Sequence, residues 1–481
     1  MLKGKSDNEK APFDNYKSSL TTNKLSLRKK RLNSKLTQKR IDISISNFSN
    51  EFLDSHPSSV LMSRLVNLVP HLMTSIPTLL PTSPDLVTYF SILSHLSGLS
   101  DPKYTELLLD NDIINIISEQ VSNFFKSNYL SPLVIGNLIL LIGNIASHSK
   151  EVRLELHEIN AVEFLVYITR TEKKENILWA ISNLVEEISF DSMSISFVSS
   201  SFISYKYIDN FFSMISKNKI NELYYSIKIQ YNLLKSNSFH FDFFILHRIF
   251  DKFFNILIIL SIRPEALVEE NNVVILILDI VNEIIINEDE FPLINHIVTK
   301  TKMLSAFSEL LSKSDLPLVI RNNVLISLSN IVAIDCDEFT DEICENEELI
   351  KNLFKENDCQ SFFCIAGLTS TSNKTHFQKL IEKGIDVLIL KVFDDNSTTS
   401  LVKCYAYEAL YNLLEYLSFS KDKICEYLKE CCKRGIKEKI EKDSSSIDKS
   451  LQLRASRVYE LFFKNEDEIK DDFYNESENE K

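Results

Sequence analysis

Apolar positions along the chain recur at helical spacing. Around residue 180, Ile177, Leu178, Ile181, Leu184 and Val185 form one apolar face, while Trp179, Asn183 and Glu187 fall in an i, i+4, i+8 row beside it. The same segment type, an apolar helix carrying an Asn four residues after a fixed position, returns as Leu140 to Asn144, Trp179 to Asn183 and Ile326 to Asn330, with weaker copies centred on Asn232, Asn282 and Asn412. The intervals between these Asn residues are 39, 49, 50, 48 and 82, the last being two units of 41 with a degenerate copy near Gly367 to Ser370. Such a period predicts a solenoid in which no unit buries its apolar face alone and stacking creates the core.

Several helices per unit of that length is the armadillo or HEAT signature, so the fold expected is all-α. An Asn at the same station of successive units has two explanations, because a buried amide must be satisfied. It either ties or caps its own repeat, or it lines an inner groove and pairs with the backbone of an extended peptide, using one donor and one acceptor. The pattern leaves both open.

Composition supports helices: with 7 Gly and 11 Pro in 481 residues, the chain lacks the turn residues of a sandwich, barrel or multi-strand α/β enzyme. The longest apolar run, Ile256 to Ile262, stops at Arg263, so no membrane insertion is expected. The polar, basic segment 1–41 does not read as a secretory signal, which points to the cytosolic or nuclear side. The 8 cysteines fall between 336 and 432 without a CxxC pair, so neither a metal site, a cofactor nor a disulfide framework is expected. No phosphate loop, His-Glu-x-x-His helix or nucleophile elbow occurs, and the chain does not read as an enzyme. His148 and His157 read as turn or surface residues, and the paired acids Glu186 and Glu187 as a solvated face.

Charge divides the chain. The balance is -14 overall, yet the segment 1–41 holds 12 Lys and Arg against 3 acids, a net of +9, which leaves -23 for the rest. Residues 465–481 combine eight acids with two lysines and read as a solvated acidic tail. Within the basic arm, Leu27-Arg28-Lys29-Lys30-Arg31, then Leu32, Leu36 and Lys39-Arg40, places Leu25, Leu32 and Leu36 near one helical stripe with cations around the remainder. Such an arm suits an acidic protein partner; the acidic body argues against nucleic acid.

Three features together resemble the importin alpha family. The arm from Leu27 to Arg40 is similar to an importin-beta-binding segment. Gly143-Asn144-Ile-Ala-Ser147 through Asn160-Ala161-Val162, then Trp179-Ala-Ile-Ser-Asn183, resembles the family's second repeat and the start of its third. Leu453-Arg-Ala-Ser-Arg457 to Phe463, with the acidic tail, is similar to its closing repeat.

The resemblance implies a right-handed superhelical armadillo solenoid over 46–464, preceded by an importin-beta-binding arm over 1–45 and followed by the tail 465–481. It implies a nuclear import adaptor that shuttles between cytoplasm and nucleus. Arg28, Lys29, Lys30, Arg31, Lys39 and Arg40 would engage importin beta, and a concave groove would hold the basic nuclear-localisation-signal peptides of cargo. Family pockets pair a Trp with an Asn four residues on; Trp179 and Asn183 match, Glu187 stands where a family aspartate meets a cargo lysine, and Asn144 and Asn330 are further rungs. Lys39 and Arg40 would occupy the groove when the partner is absent.

The chain departs from that pattern in having 1 Trp. The residues four before the other rungs are Leu140, Lys228, Leu278, Ile326 and Glu408, and Arg153 replaces a small polar residue. Each missing indole removes a cation-π attraction of roughly 0.5–2 kcal/mol. The alternative is an armadillo scaffold for a dedicated protein partner that has lost signal recognition, in which Leu140, Leu278 and Ile326 would form an exposed apolar patch.

Overall fold

A computed structural model describes residues 59–463, except 82, 128–129, 170–173, 188–202, 218, 236–243, 263–270, 287–290, 335, 356–358, 371–373 and 396. The arm residues Arg28 to Arg40 and the tail 465–481 lie outside the described residues. Among those described there is helix and turn but no strand, and no helix is long and apolar enough to cross a membrane. The chain divides into two compact units, Met1–Ser238 and Phe239–Lys481.

The N-terminal unit contains α1 (Ser59–Ser75), α2 (Pro84–Ser97), α3 (Pro102–Asp110), α4 (Ile113–Ser127), α5 (Pro132–Ala146), α6 (Lys150–Glu158), α7 (Ala161–Ile168), α8 (Lys174–Leu184), α9 (Phe211–Ser216) and α10 (Ile220–Lys235). Its long helices stack in one row, α2 on α5, α5 on α8 and α8 on α10, with α4 against α7 behind them. Hydrophobic residues of each long helix face both neighbours, so α5 is buried from Leu138 to Ala146 and α8 from Asn176 to Leu184. This explains why neither shows a polar face in sequence.

The C-terminal unit contains α11 (Ile249–Ser261), α12 (Asn271–Ile286), α13 (Phe291–Lys300), α14 (Met303–Leu311), α15 (Leu318–Val332), α16 (Asp337–Glu345), α17 (Glu347–Leu353), α18 (Cys359–Thr369), α19 (Lys374–Glu382), α20 (Ile385–Asp394), α21 (Ser400–Leu417), α22 (Lys421–Lys433), α23 (Ile436–Asp443) and α24 (Lys449–Val458). Here α12, α15, α18, α21 and α24 make the long row, α11, α14 and α17 a second, and α13, α16 and α19 a third. The result is an all-α stack of multi-helix units, the arrangement that the sequence period requires.

Local sequence sets where these helices begin. Ser83 and Ser131 accept hydrogen bonds from the backbone N–H of Asp85 and Val134, with Pro84 and Pro132 opening each helix, and Thr399 and Asp448 cap α21 and α24 alike. A left-handed residue stands immediately before each of α4, α7, α11, α20 and α23: Asp112, Asn160, Arg248, Gly384 and Gly435. That conformation reverses the chain sharply, which Gly tolerates and a side chain resists. Gly384, at φ 88°, has nothing within 4 Å of the point where a Cβ would stand. Gly384→Ala is therefore expected to cost roughly 1–2 kcal/mol through the backbone alone, read as a lower denaturation midpoint, and Arg248→Gly to raise the midpoint.

Candidate functional site

The row residues of the N-terminal unit sit on successive stacked helices: Asn144 on α5, Asn183 on α8 and Asn232 on α10. Each buried amide reaches back one helix. Asn144 Nδ2 donates to the Ser94 carbonyl (3.1 Å) and to Ser97 Oγ (3.1 Å), Asn183 Nδ2 to the Gly143 carbonyl (3.1 Å), and Asn232 Nδ2 to the Ser182 carbonyl (2.9 Å). The acceptor is the residue just before the preceding rung, which makes His95 the unrecognised first rung on α2. Burial lowers the pKa of its imidazole. These donors are thus committed between repeats, the tying role among the two that the sequence left open.

In the C-terminal unit the pattern loosens. Asn282 reaches forward, its Nδ2 donating to the Asn323 carbonyl (3.4 Å) while its Oδ1 accepts from Ser327 Oγ (2.7 Å), and Asn412 Nδ2 meets Thr369 Oγ1 (3.3 Å). Asn330 is half-buried and its amide makes no hydrogen bond among the described residues. A paired substitution separates these roles. Asn282→Ala is expected to cost about 1–3 kcal/mol by leaving buried partners unmet, whereas Asn330→Ala should change the denaturation midpoint little.

Trp179 is 3% exposed. Its indole lies across bare backbone: a Cβ placed on Gly143 would come within 2.4 Å of Cζ3 and 2.8 Å of Cε3 and Cη2. Gly143 therefore opens space on α5 for the indole of α8, and Trp179 works here as packing between stacked helices. Leu140 and Leu278 are likewise buried and Ile326 half-buried, so these three form no exposed apolar patch. Glu408 is half-buried and pairs with Arg454 (3.2 Å) and Arg457 (3.8 Å).

Beside Trp179, the turn that ends α8 carries Glu186 and Glu187, and a cation from each flanking element meets them. Arg153 of α6 places Nη2 3.4 Å from Glu187 Oε2, with side-chain exposures of 6% and 56%. Lys228 of α10 places Nζ 3.6 Å from Glu186 Oε2, with exposures of 4% and 33%. Arg153 also donates to the Ala146 carbonyl (3.1 Å) at the end of α5, which leaves its buried Nε–H without a partner among the described residues. Glu187 adopts φ 59°, a left-handed conformation unfavourable for a side-chain residue. Glu186 and Glu187 are therefore ion-paired while remaining the solvent-exposed members of their pairs, on the face that the sequence read as solvated.

The structure brings Asn144, Trp179, Asn183 and Glu187 onto the stacked pair α5 and α8 and its closing turn, and places Asn330 on α15 of the C-terminal unit. His148 is exposed and His157 half-buried. Among the described residues no group of three His, Cys, Asp or Glu is placed to hold a metal ion. Burial pushes the Cys364 and Cys431 thiols up to about 12 and Cys344 to about 11, which keeps them protonated near neutrality.

Comparison with known proteins gives a fold and no family. No family model matches the chain, and no curated protein does. Among solved structures, it is similar to the crystal structure of an engineered protein at 15% identity and a TM-score of 0.58, over 88% of this chain and 94% of that one.

Proposed function

We propose that the chain is a nuclear import adaptor of the importin alpha type, an armadillo solenoid that binds importin beta through the arm over about 24–41 and holds protein cargo on its long-helix row. Arg28, Lys29, Lys30, Arg31, Lys39 and Arg40 supply the cations for an acidic partner surface, and the chain shuttles between cytoplasm and nucleus with its cargo. The observation that carries this reading is the regular tie from Asn144 to α2, Asn183 to α5 and Asn232 to α8. It puts equivalent stations of successive units in register in the same chain that carries the basic arm.

The adaptor works by linkage: the arm and the cargo compete for the row, so a partner that removes the arm favours cargo, and cargo favours the partner. Co-elution with importin beta in size-exclusion chromatography tests it. The full chain should co-elute and a chain lacking residues 1–41 should not; failure of both would remove the adaptor reading.

A second reading, a scaffold for a dedicated protein partner that has lost recognition of basic signals, is favoured by the charges around Trp179. Arg153 and Lys228 already satisfy the two acids that a lysine-rich peptide would seek. Under it, importin beta would not bind and the row would hold one partner of different chemistry.

A further inference from the structure

We infer that the acidic tail 465–481 docks on the last unit of its own chain, seating Ile469 and Phe473 on the exposed Leu453 and Leu461 and its carboxylates beside the cations around them. The inference does not use the adaptor reading; it concerns what covers the C-terminal end of the stack.

That end leaves apolar surface open. Helix α24 packs on α21 and α23 and buries Leu451, Ala455 and Val458, and the turn Tyr459–Phe463 continues it. Within the stack each unit is covered by the next, but α24 is the last of the long helices described, and its open side carries Leu453 at 70% exposure and, past the helix, Leu461 at 55%. The outer face of a terminal repeat is expected to be polar. Leu453, Arg457 and Arg454 fall within about 100° of the helix circumference, so the open leucine borders on two cations. Arg457 lies over the Tyr411 ring, 3.7 Å from its centroid, and the Phe462 ring meets the same ring edge-on at 5.8 Å, which ties the last turn to α21. The surface is therefore built before anything docks on it.

Charge names the occupant. Residues 449–463 hold Lys449, Arg454 and Arg457 against Glu460, and both arginines share the carboxylate of Glu408 on α21, at 3.2 and 3.8 Å. One positive charge is left over, and Arg457 stays 47% exposed. Over the whole unit, 421–464 holds 12 Lys and Arg against 8 acids, a net of +4, whereas 42–420 holds 27 against 48, a net of -21. A segment with eight acids and two lysines is thus repelled by most of the body and attracted to the unit it leaves.

Length and pattern agree with that occupant. The tail starts two residues after Phe463, and Ile469 and Phe473 are four residues apart, the spacing of one helical face, with acids between and around them. Ten residues from Phe463 to Phe473 reach at most ~36 Å. Leu453 stands only eight residues before Leu461, roughly 12 Å back along the helix axis. A tether this short holds the tail at about millimolar effective concentration, so a weak contact is enough.

Carbodiimide, which joins a carboxylate to a lysine amine in direct contact, tests this on the full-length chain, with products mapped by mass spectrometry in the monomer band. The expected product joins Asp471, Asp472 or Glu476 to Lys449, one turn before Leu453, and falls away at about 0.5 M salt. Leu453→Asp with Leu461→Asp is expected to lower its yield at least about fivefold, because two carboxylates replace the apolar seat and repel the tail. Ile469→Ser with Phe473→Ser, which alters no residue of the described helices, is expected to do the same even if the first variant does not fold. Products that join the tail to lysines of the segment 1–41 in place of Lys449 would overturn the inference. So would the absence of any product from the tail, or a yield left unchanged by either double variant with the parent's circular dichroism.

Discussion

Alanine at Gly143 is expected to shift the chain's tryptophan emission to the red and to destabilise the N-terminal unit by about 1–3 kcal/mol. The added methyl would lie 2.4 Å from Cζ3 of Trp179, with two more ring carbons at 2.8 Å, well inside any real contact. Helix α5 cannot withdraw, because α2 packs on its other side. The indole must therefore turn out of its seat or α8 must move, and a shift of α8 also disturbs the 3.1 Å bond from Asn183 to the Gly143 carbonyl. As the chain contains 1 Trp, fluorescence reads this contact without background from elsewhere. Native-like emission and an unchanged midpoint would mean that the indole does not rest on Gly143.

Removing Glu186 and removing its partner Lys228 are expected to have unequal consequences. Lys228 is 4% exposed, so Glu186→Ala takes the carboxylate from a buried ammonium and should cost about 1–3 kcal/mol. Lys228→Met discards the charge, keeps most of the volume and leaves Glu186 at the surface, where water solvates it. That change should be within about 1.5 kcal/mol of neutral, or stabilising. Denaturant titrations followed at Trp179, on the adjacent helix, measure both. A silent Glu186→Ala together with a damaging Lys228→Met would show that the ammonium is held by other groups.

The all-helical stack was readable because it depends on local signals repeated many times: apolar spacing, few Gly and Pro, and a recurring Asn. The sites were less readable because they depend on partners a whole repeat away in sequence. Trp179 and Asn183 both meet Gly143 of α5, whereas Glu187 lies past the end of α8 in a left-handed turn; spacing does not say whether a stripe looks outward or onto the next helix, nor where the helix stops. Gly143 carried the missing signal: a Gly inside an otherwise apolar helix costs about 1 kcal/mol relative to Ala and needs a packing reason. Lys228 and Arg153 were legible as positive charges near the row, yet their pairing with Glu186 and Glu187 arises only when α6, α8 and α10 are stacked. His95 gave no signal at all, since its station is defined by what Asn144 reaches and not by its own residue type. Asn282 shows the limit of the pattern, keeping its place in the rhythm while its amide turns toward the following helix.

The most direct measurement is a titration of the isolated segment 20–45 against importin beta, with a control in which Arg28, Lys29, Lys39 and Arg40 are changed to alanine. A charge-assisted contact is worth about 1.5–3 kcal/mol, so saturable binding should weaken by at least about a hundredfold in the control, and should fall with added salt. Absence of binding by the unaltered segment would contradict the adaptor account and leave a helical-repeat scaffold with a basic arm.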